Sequence, residues 1–88
     1  MAWTLRISET AKRQLTKLDR STAQTLLRYL NRLLVEAENP RQRGKALTAN
    51  LAGLWRYRVG DYRVICQIED GELVVLVVQI GHRSEVYR

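Results

Sequence analysis

The sequence predicts an α+β fold in which one strand and two helices precede a three-stranded antiparallel meander, in the order β-α-α-β-β-β. Two turn signals, Gly60-Asp61 and Asp70-Gly71, lie between runs of alternating apolar residues and indicate the meander. Apolar residues at three- and four-residue spacing earlier in the chain indicate the helices. We expect the helical hairpin to pack on one face of the sheet, in a single domain that spans residues 1–88.

The first half of the chain supplies the predicted first strand and both helices. Apolar and polar residues alternate from Trp3 to Ile7, as in a strand with one buried face. Ser8 offers an N-cap hydroxyl to a short first helix, and the segment from Ser21 to Gln24 matches a capping box for a longer one. Asn39-Pro40 is expected to end that second helix.

The two turns also predict the strand register. If each loop contains two residues, Arg58 lies opposite Arg63, Glu69 opposite Glu72 and Arg63 opposite Val78. Side chains alternate across a strand, so this register sorts the meander into two faces. One face is uncharged and is therefore the predicted core face: Trp55, Tyr57, Val59, Tyr62, Val64, Cys66, Ile68, Leu73, Val75 and Val77.

The other face of the meander gathers Arg56, Arg58 and Arg63 on a partly apolar floor. Like charges directly opposite one another destabilise a sheet, so the pairing of Arg58 with Arg63 suggests that an anion binds between them. Phosphate suits the guanidinium fork best, whereas a solvated arginine face without a ligand is the alternative. Loop cations that precede the meander are either solvated or extend this surface: Arg41, Arg43 and Lys45.

The C-terminal segment adds further candidates, with Arg83 and Tyr87 four residues apart. Arginine cannot act as a base near neutral pH, but it can stabilise the charge that develops on a phosphoryl group. Tyr87 can stack on a nucleobase or, with a pKa lowered by nearby arginines, accept the proton of a 2′-hydroxyl. His82 is a further acid/base candidate. The set suits RNA cleavage by internal 2′-OH attack better than hydrolysis by water.

The composition indicates which partners and cofactors to expect. Lys and Arg total 15 against 9 acidic residues, a net charge of +6 that favours a polyanionic partner. Cys66 is the only cysteine, so no internal disulfide can form and a cytoplasmic setting is expected. The sequence has no metal-ligand cluster, no glycine-rich phosphate loop and no apolar run long enough to span a membrane. We therefore expect no metal, no cofactor and no membrane.

Two motifs, GDYRVICQI from Gly60 and GHRSEVYR from Gly81, together with the element order, resemble the RelE/ParE superfamily of type II toxin–antitoxin toxins, and its RelE-like branch in particular. The resemblance implies the RelE-like fold and a ribosome-dependent mRNA endonuclease that cleaves mRNA in the A site and inhibits translation. It implies catalytic roles for Arg63, Arg83 and Tyr87 and RNA binding by Arg56 and Arg58. Among the loop cations, Lys45 is expected to bind RNA together with these two arginines.

The resemblance leaves the proton acceptor open. Some RelE toxins carry lysines where this chain has Arg56 and Arg58, and a lysine with a lowered pKa could act as a base. The two arginines can act only electrostatically, so Tyr87 is the favoured acceptor.

The resemblance also implies partners. These are a cognate RelB-like antitoxin that covers the basic face, the ribosome with mRNA in its A site, and operator DNA only through the antitoxin. The apolar side chains of Val74, Leu76 and Val78 beside the arginines fit such an antitoxin contact. Two other functions remain open: a ParE-like inhibitor of DNA gyrase with the same fold, and a non-enzymatic basic module that binds nucleic acid or an antitoxin.

Overall fold

The computed structural model of the chain describes residues 3–83, which form two α-helices and a five-stranded sheet. The elements in chain order are β1 (Thr4–Ile7), α1 (Glu9–Thr16), α2 (Arg20–Glu36), β2 (Lys45–Ala46), β3 (Trp55–Val59), β4 (Tyr62–Glu69) and β5 (Val74–His82). The predicted α+β order and the packing of both helices against the sheet are confirmed. The structure adds the short strand β2, and it places β1 parallel to β5, so the sheet is mixed with the order β1-β5-β4-β3-β2.

Both helices begin at side-chain caps. Ser8 caps α1 as predicted, because its Oγ accepts a hydrogen bond of 3.1 Å from the backbone N–H of Ala11. The predicted capping box from Ser21 is wrong, since α2 begins after Asp19, whose carboxylate accepts from both the N–H and the hydroxyl of Thr22. These hydrogen bonds lower the pKa of Asp19. A carboxylate at this position caps the helix and also interacts favourably with its dipole.

The core lies between the helices and the predicted core face of the sheet. Its fully buried members come from both layers: Ala11, Leu26, Leu30, Leu33, Tyr57, Val64, Cys66, Val75, Val77 and Ile80. The hydroxyl of Tyr57 donates a 2.7 Å hydrogen bond to the carbonyl of Pro40, which ties the segment after α2 to the sheet. Burial raises the pKa of the Cys66 thiol to about 12, so Cys66 packs as a small neutral side chain.

The first hairpin has the predicted register, with Arg58 opposite Arg63 and Val59 opposite Tyr62. The predicted register of the second hairpin is wrong, because the loop contains four residues, from Asp70 to Leu73, rather than two. A two-residue loop would place the like charges of Glu69 and Glu72 opposite each other, whereas the longer loop pairs Glu69 with Val74. The register differs from the predicted one by two residues, an even number, so Val75 and Val77 stay on the core face.

A β-bulge then moves the end of β5 by one further residue. Cys66 pairs with Val77 but Ile65 pairs with Gln79, which leaves Val78 as the extra residue. The bulge places the apolar Ile80 in the core, where it is 2% exposed, and turns the polar Gln79 to the other face. Gly81 therefore lies opposite Arg63, where the sequence predicted Val78, and β5 continues to His82.

Candidate functional site

On the face of the sheet opposite the helices, the adjacent strands β2, β3 and β4 carry four cationic residues, which we call the basic face: Lys45, Arg56, Arg58 and Arg63. Lys45 on β2 pairs with Arg56 on β3, and Arg58 on β3 pairs with Arg63 on β4. Because directly opposite residues project to the same side of a sheet, these pairings bring together all four predicted residues on the strands. Lys45, which the sequence offered only as a possible extension of the surface, is thereby placed next to Arg56.

The cations of the basic face differ in exposure. Lys45 and Arg58 are exposed, and neither forms an ion pair within residues 3–83. Arg56 and Arg63 are half-buried, and the Nε atom of each is inaccessible to solvent. Ile65 lies between them in the register and is 2% exposed, so the floor of this face is apolar. A phosphate bound here would interact with guanidinium groups that are partly shielded from water, where charges interact more strongly.

Arg83 follows directly after β5 at the edge of the basic face. Its backbone N–H donates a 2.9 Å hydrogen bond to the carbonyl of Asp61, which fixes it beside the turn between β3 and β4. Gly81, two residues earlier, is opposite Arg63. The chain thus leaves the sheet near Arg63, as predicted, although a different residue pairs there. Tyr87 lies outside the described residues, so its predicted role stays a prediction.

The pairing of Arg58 with Arg63 predicts a conflict between stability and binding. We expect Arg58→Thr to raise the free energy of unfolding by about 0.2–1 kcal/mol, because it removes a repulsive cross-strand pair. The same change should weaken binding of a polyanion. Urea denaturation at low and high salt checks the first part, since salt should screen the repulsion and reduce the gain. A destabilised variant at low salt would contradict it.

Two of the three loop cations are engaged elsewhere. Arg41 forms a bidentate ion pair with Asp70 in the loop between β4 and β5, with N···O distances of 2.7 and 2.9 Å. Arg43 lies 3.8 Å from the carboxylate of Glu36. Of the loop cations, therefore, only Lys45 belongs to the basic face.

The ion pair between Arg41 and Asp70 predicts a pH dependence. Hydrogen bonds from Arg41 lower the pKa of Asp70 from its ordinary value of 3.8, so the pair stabilises the fold above that value. The contribution is lost as the pH falls through the lowered pKa. We expect Asp70→Asn to lower the urea midpoint at pH 7 and to match the wild type in strong acid. Glu72→Gln, in the same loop, is the control, and an equal pH dependence in both variants would contradict the assignment.

His82 lies on the other side of the sheet and does not join the arginines. It pairs with Tyr62 across β4 and β5, and the two rings meet edge to face with centroids 5.7 Å apart and an interplanar angle of 83°. The structure thus places the alternative acid/base candidate on the helix side, next to α1. Sequence reasoning missed Gln14, whose Oε1 accepts a 2.6 Å hydrogen bond from the N–H of Ile80. The sequence gives no signal for a contact across such a separation.

The apolar side chains proposed for an antitoxin contact are only partly accessible. Val74 is 5% exposed and lies beside Thr4 of β1, while Leu76 and Val78 are half-buried. Val74 therefore offers almost no area to a partner.

Within residues 3–83, no three His, Cys, Asp or Glu side chains are grouped so that they could hold a metal ion. None of the helices in that part of the chain has the length and apolar character needed to cross a bilayer.

The fold and the motifs on its sheet define the class of protein. Residues 5–87 match the family described as the ParE toxin of the type II toxin–antitoxin system parDE. The chain belongs to the RelE/ParE superfamily of type II toxin–antitoxin toxins.

Individual relatives narrow this to the RelE type. The chain is 32% identical over 88 residues to toxin RelG of Mycobacterium tuberculosis, which covers 100% of this chain and 99% of that protein. It is 38% identical over 82 residues to toxin RelE of the same organism, with 93% and 82% covered. Among solved structures, the RelBE2 toxin–antitoxin complex of M. tuberculosis matches with a TM-score of 0.83 and 31% identity, over 94% of this chain and 100% of that one.

Proposed function

We propose that this RelE-type toxin, acting as a single domain over residues 1–88, is an endoribonuclease that cleaves mRNA in the ribosomal A site and so inhibits translation. The observation that supports the proposal is the pairing of Arg58 with Arg63 on one sheet face, with Lys45 and Arg56 beside them and Arg83 at the edge. Such a concentration of guanidinium groups is costly for folding and suits a phosphodiester.

The proposed reaction is an internal transesterification. The 2′-oxygen of the RNA forms a bond to the adjacent phosphorus while the bond to the 5′-oxygen breaks, giving a 2′,3′-cyclic phosphate and a 5′-hydroxyl. Negative charge accumulates on the phosphoryl oxygens in the transition state, and Arg63 and Arg83 stabilise it. Tyr87, as the phenolate, accepts the proton of the 2′-hydroxyl, and the leaving 5′-oxygen takes a proton from water. Arg56, Arg58 and Lys45 hold the flanking phosphates.

The expected dependence on the ribosome follows from the lack of a conventional acid/base pair among the proposed catalytic residues. Arg63 and Arg83 supply charge, and only Tyr87 can take up a proton. Bound mRNA needs to be held with the 2′-oxygen in line with the leaving oxygen, and the ribosome can supply that positioning. We further propose a cytoplasmic location and a RelB-like antitoxin as the cognate partner, through which alone the toxin reaches operator DNA. Support for the partner comes from the M. tuberculosis relative, which was solved as a toxin–antitoxin complex.

Primer extension on a defined mRNA tests the proposal. We expect new 3′ ends within the A-site codon when programmed ribosomes are present, and none when they are omitted. Rapid cleavage of free RNA at unrelated sites would contradict ribosome dependence. Salt-dependent RNA binding without cleavage in any lane would instead favour a non-enzymatic basic module.

Inhibition of DNA gyrase is the second candidate, because the matching family is described as the ParE toxin. The motif GHRSEVYR favours cleavage, since it carries Arg83 and Tyr87. A supercoiling assay beside the primer extension separates the two candidates, because blocked gyrase with intact mRNA would support only the ParE-like function.

A further inference from the structure

A cleft of about 440 Å³ opens between the end of α1 and the end of β5, at the edge of β5 that β1 leaves unpaired beyond Val77. Its volume lies within the range of about 300–1,000 Å³ that small-molecule sites occupy. Both helix and strand residues line it: Gln14, Lys17, Leu18, Tyr62, Gln79, Ile80, Gly81 and His82.

The cleft exists because β5 is longer than its neighbour β1. The last pair of these two strands is Ile7 with Val77, and beyond it α1 covers the edge of β5 in place of a strand. The Ser8 N–H donates to the carbonyl of Val77 at 2.9 Å, and its hydroxyl donates to the carbonyl of Val78 at 3.3 Å. Gln14 then accepts from the N–H of Ile80. The cleft lies beyond this contact, between Lys17 and Leu18 after the helix and the end of β5.

The polar groups of the cleft include donors and an acceptor. Only the oxygen of the Gln14 side-chain amide can accept the hydrogen bond from the N–H of Ile80. The two N–H groups on Gln14 Nε2 are therefore left for a ligand. The second donor is the exposed ammonium group of Lys17, which is cationic and forms no ion pair within the described part of the chain. The carbonyl of Ile80 points to the same side of the strand as its N–H and is an acceptor.

This mixture suits the edge of a nucleobase better than a phosphate, which would require donors only. The ring of Tyr62, held edge to face against His82, adds an aromatic wall. Two donors close together favour a base with carbonyl oxygens, since lysine and amide groups recognise such acceptors. Guanine and uracil carry both the carbonyl oxygen and the N–H that the Ile80 carbonyl would accept.

Gly81 connects the cleft to the basic face. It lines the cleft, and it is also the cross-strand partner of Arg63, whose side chain belongs to the basic face. Because glycine has no side chain, an RNA strand can pass over this end of β5 close to the backbone. We propose that a nucleobase of the RNA next to the scissile phosphate enters this cleft, and that Gln14 and Lys17 thereby select a keto base, guanine or uracil. The inference rests on the proposed function for its substrate.

Lys17→Met tests the selection, with Lys12→Met as the matched control. Lys12 lies on α1, the helix that Lys17 follows, but it is ion-paired with Glu9 at 3.5 Å and does not line the cleft. Cleavage sites are mapped by primer extension across a long mRNA on ribosomes. We expect Lys17→Met to reduce the preference for guanine or uracil at one flanking position about tenfold, as for loss of one base contact. The Lys12→Met profile should equal that of the wild type. An unchanged profile in Lys17→Met overturns the proposal.

A binding experiment on the wild-type chain separates this inference from the proposed function. The four nucleoside 5′-monophosphates and inorganic phosphate are titrated while the amide signals of Ile80 and the side-chain amide of Gln14 are followed by NMR. Shifts with guanosine and uridine monophosphate, exceeding those with the other two and absent with phosphate, support the cleft even if no lane shows cleavage. Shifts confined to the basic face, or equal shifts with phosphate alone, overturn it even if the protein cleaves mRNA.

Discussion

Arg63→Ala should lower ribosome-dependent cleavage of mRNA by about 10²–10³-fold, the loss that follows removal of one preorganised donor to a developing oxyanion. Arg63 is the residue on which the basic face converges, since Arg58 lies opposite it on one side and Gly81 on the other. In the proposed reaction its guanidinium acts on charge that exists only in the transition state, so we expect the loss mainly in the rate of the chemical step. Single-turnover primer extension at saturating toxin measures that step.

Two further variants make the result specific. Arg63→Lys should recover only part of the rate, because an ammonium group retains the charge without the bidentate fork. Arg28→Ala removes the same charge from an exposed position on α2 and should cleave like the wild type. Urea midpoints establish that all variants fold. A fully active Arg63→Ala would show that the assigned site is wrong.

Gly44→Ala should lower the free energy of unfolding by about 2–4 kcal/mol, the sum of backbone strain and overpacking. Gly44 has a φ of +80°, which glycine adopts readily and alanine does not. A Cβ atom there would overlap the carbonyl oxygen of Arg56 and would lie 2.7 Å from the indole nitrogen of Trp55. That indole donates a 2.6 Å hydrogen bond to the carbonyl of Arg43, so the chain is held tightly against β3 at this point.

Gly53→Ala is the matched control for this prediction. Gly53 also has a positive φ, +94°, but a Cβ atom there would have no neighbour within 4 Å. It should cost only the backbone strain, about 1–2 kcal/mol. Chemical denaturation of the two variants separates the strain from the overlap. Equal losses would mean that the close approach of Gly44 to β3 does not matter for stability. Because Lys45 follows Gly44, the unstable variant should also bind RNA less tightly.

Sequence reasoning succeeded where the determinants were local. Gly60-Asp61 fixed the first hairpin, and with it the pairing of Arg58 and Arg63. It failed at the second hairpin, where Asp70-Gly71 indicated a two-residue loop. The observed loop requires Leu73 at a φ of +54°, a conformation that a leucine rarely adopts and that its neighbours impose. Turn preferences alone do not show whether the strain at Leu73 costs less free energy than the repulsion between Glu69 and Glu72.

The candidate site, like the fold, could be predicted only where its contacts are local in sequence. The alternation along β3 and β4 placed Arg56, Arg58 and Arg63 together, because only one hairpin was needed. Whether Arg41 or Lys45 joined them depended on contacts distant in sequence, such as the ion pair of Arg41 with Asp70. The cleft beside Gln14 depended on where β1 stops relative to β5, and a parallel pairing between the two ends of the chain leaves no local pattern.

The position of β5 in the sheet has a consequence for how the toxin is synthesised. β5 lies between β1 and β4, yet ribosomes make it after every other element described here. Until it emerges, β1 has no strand to pair with, the core lacks Val75 and Val77, and β4 has no partner strand on one of its edges. Contacts between distant parts of a chain form late in folding. A nascent chain therefore cannot complete the core that supports the basic face until that strand has been translated.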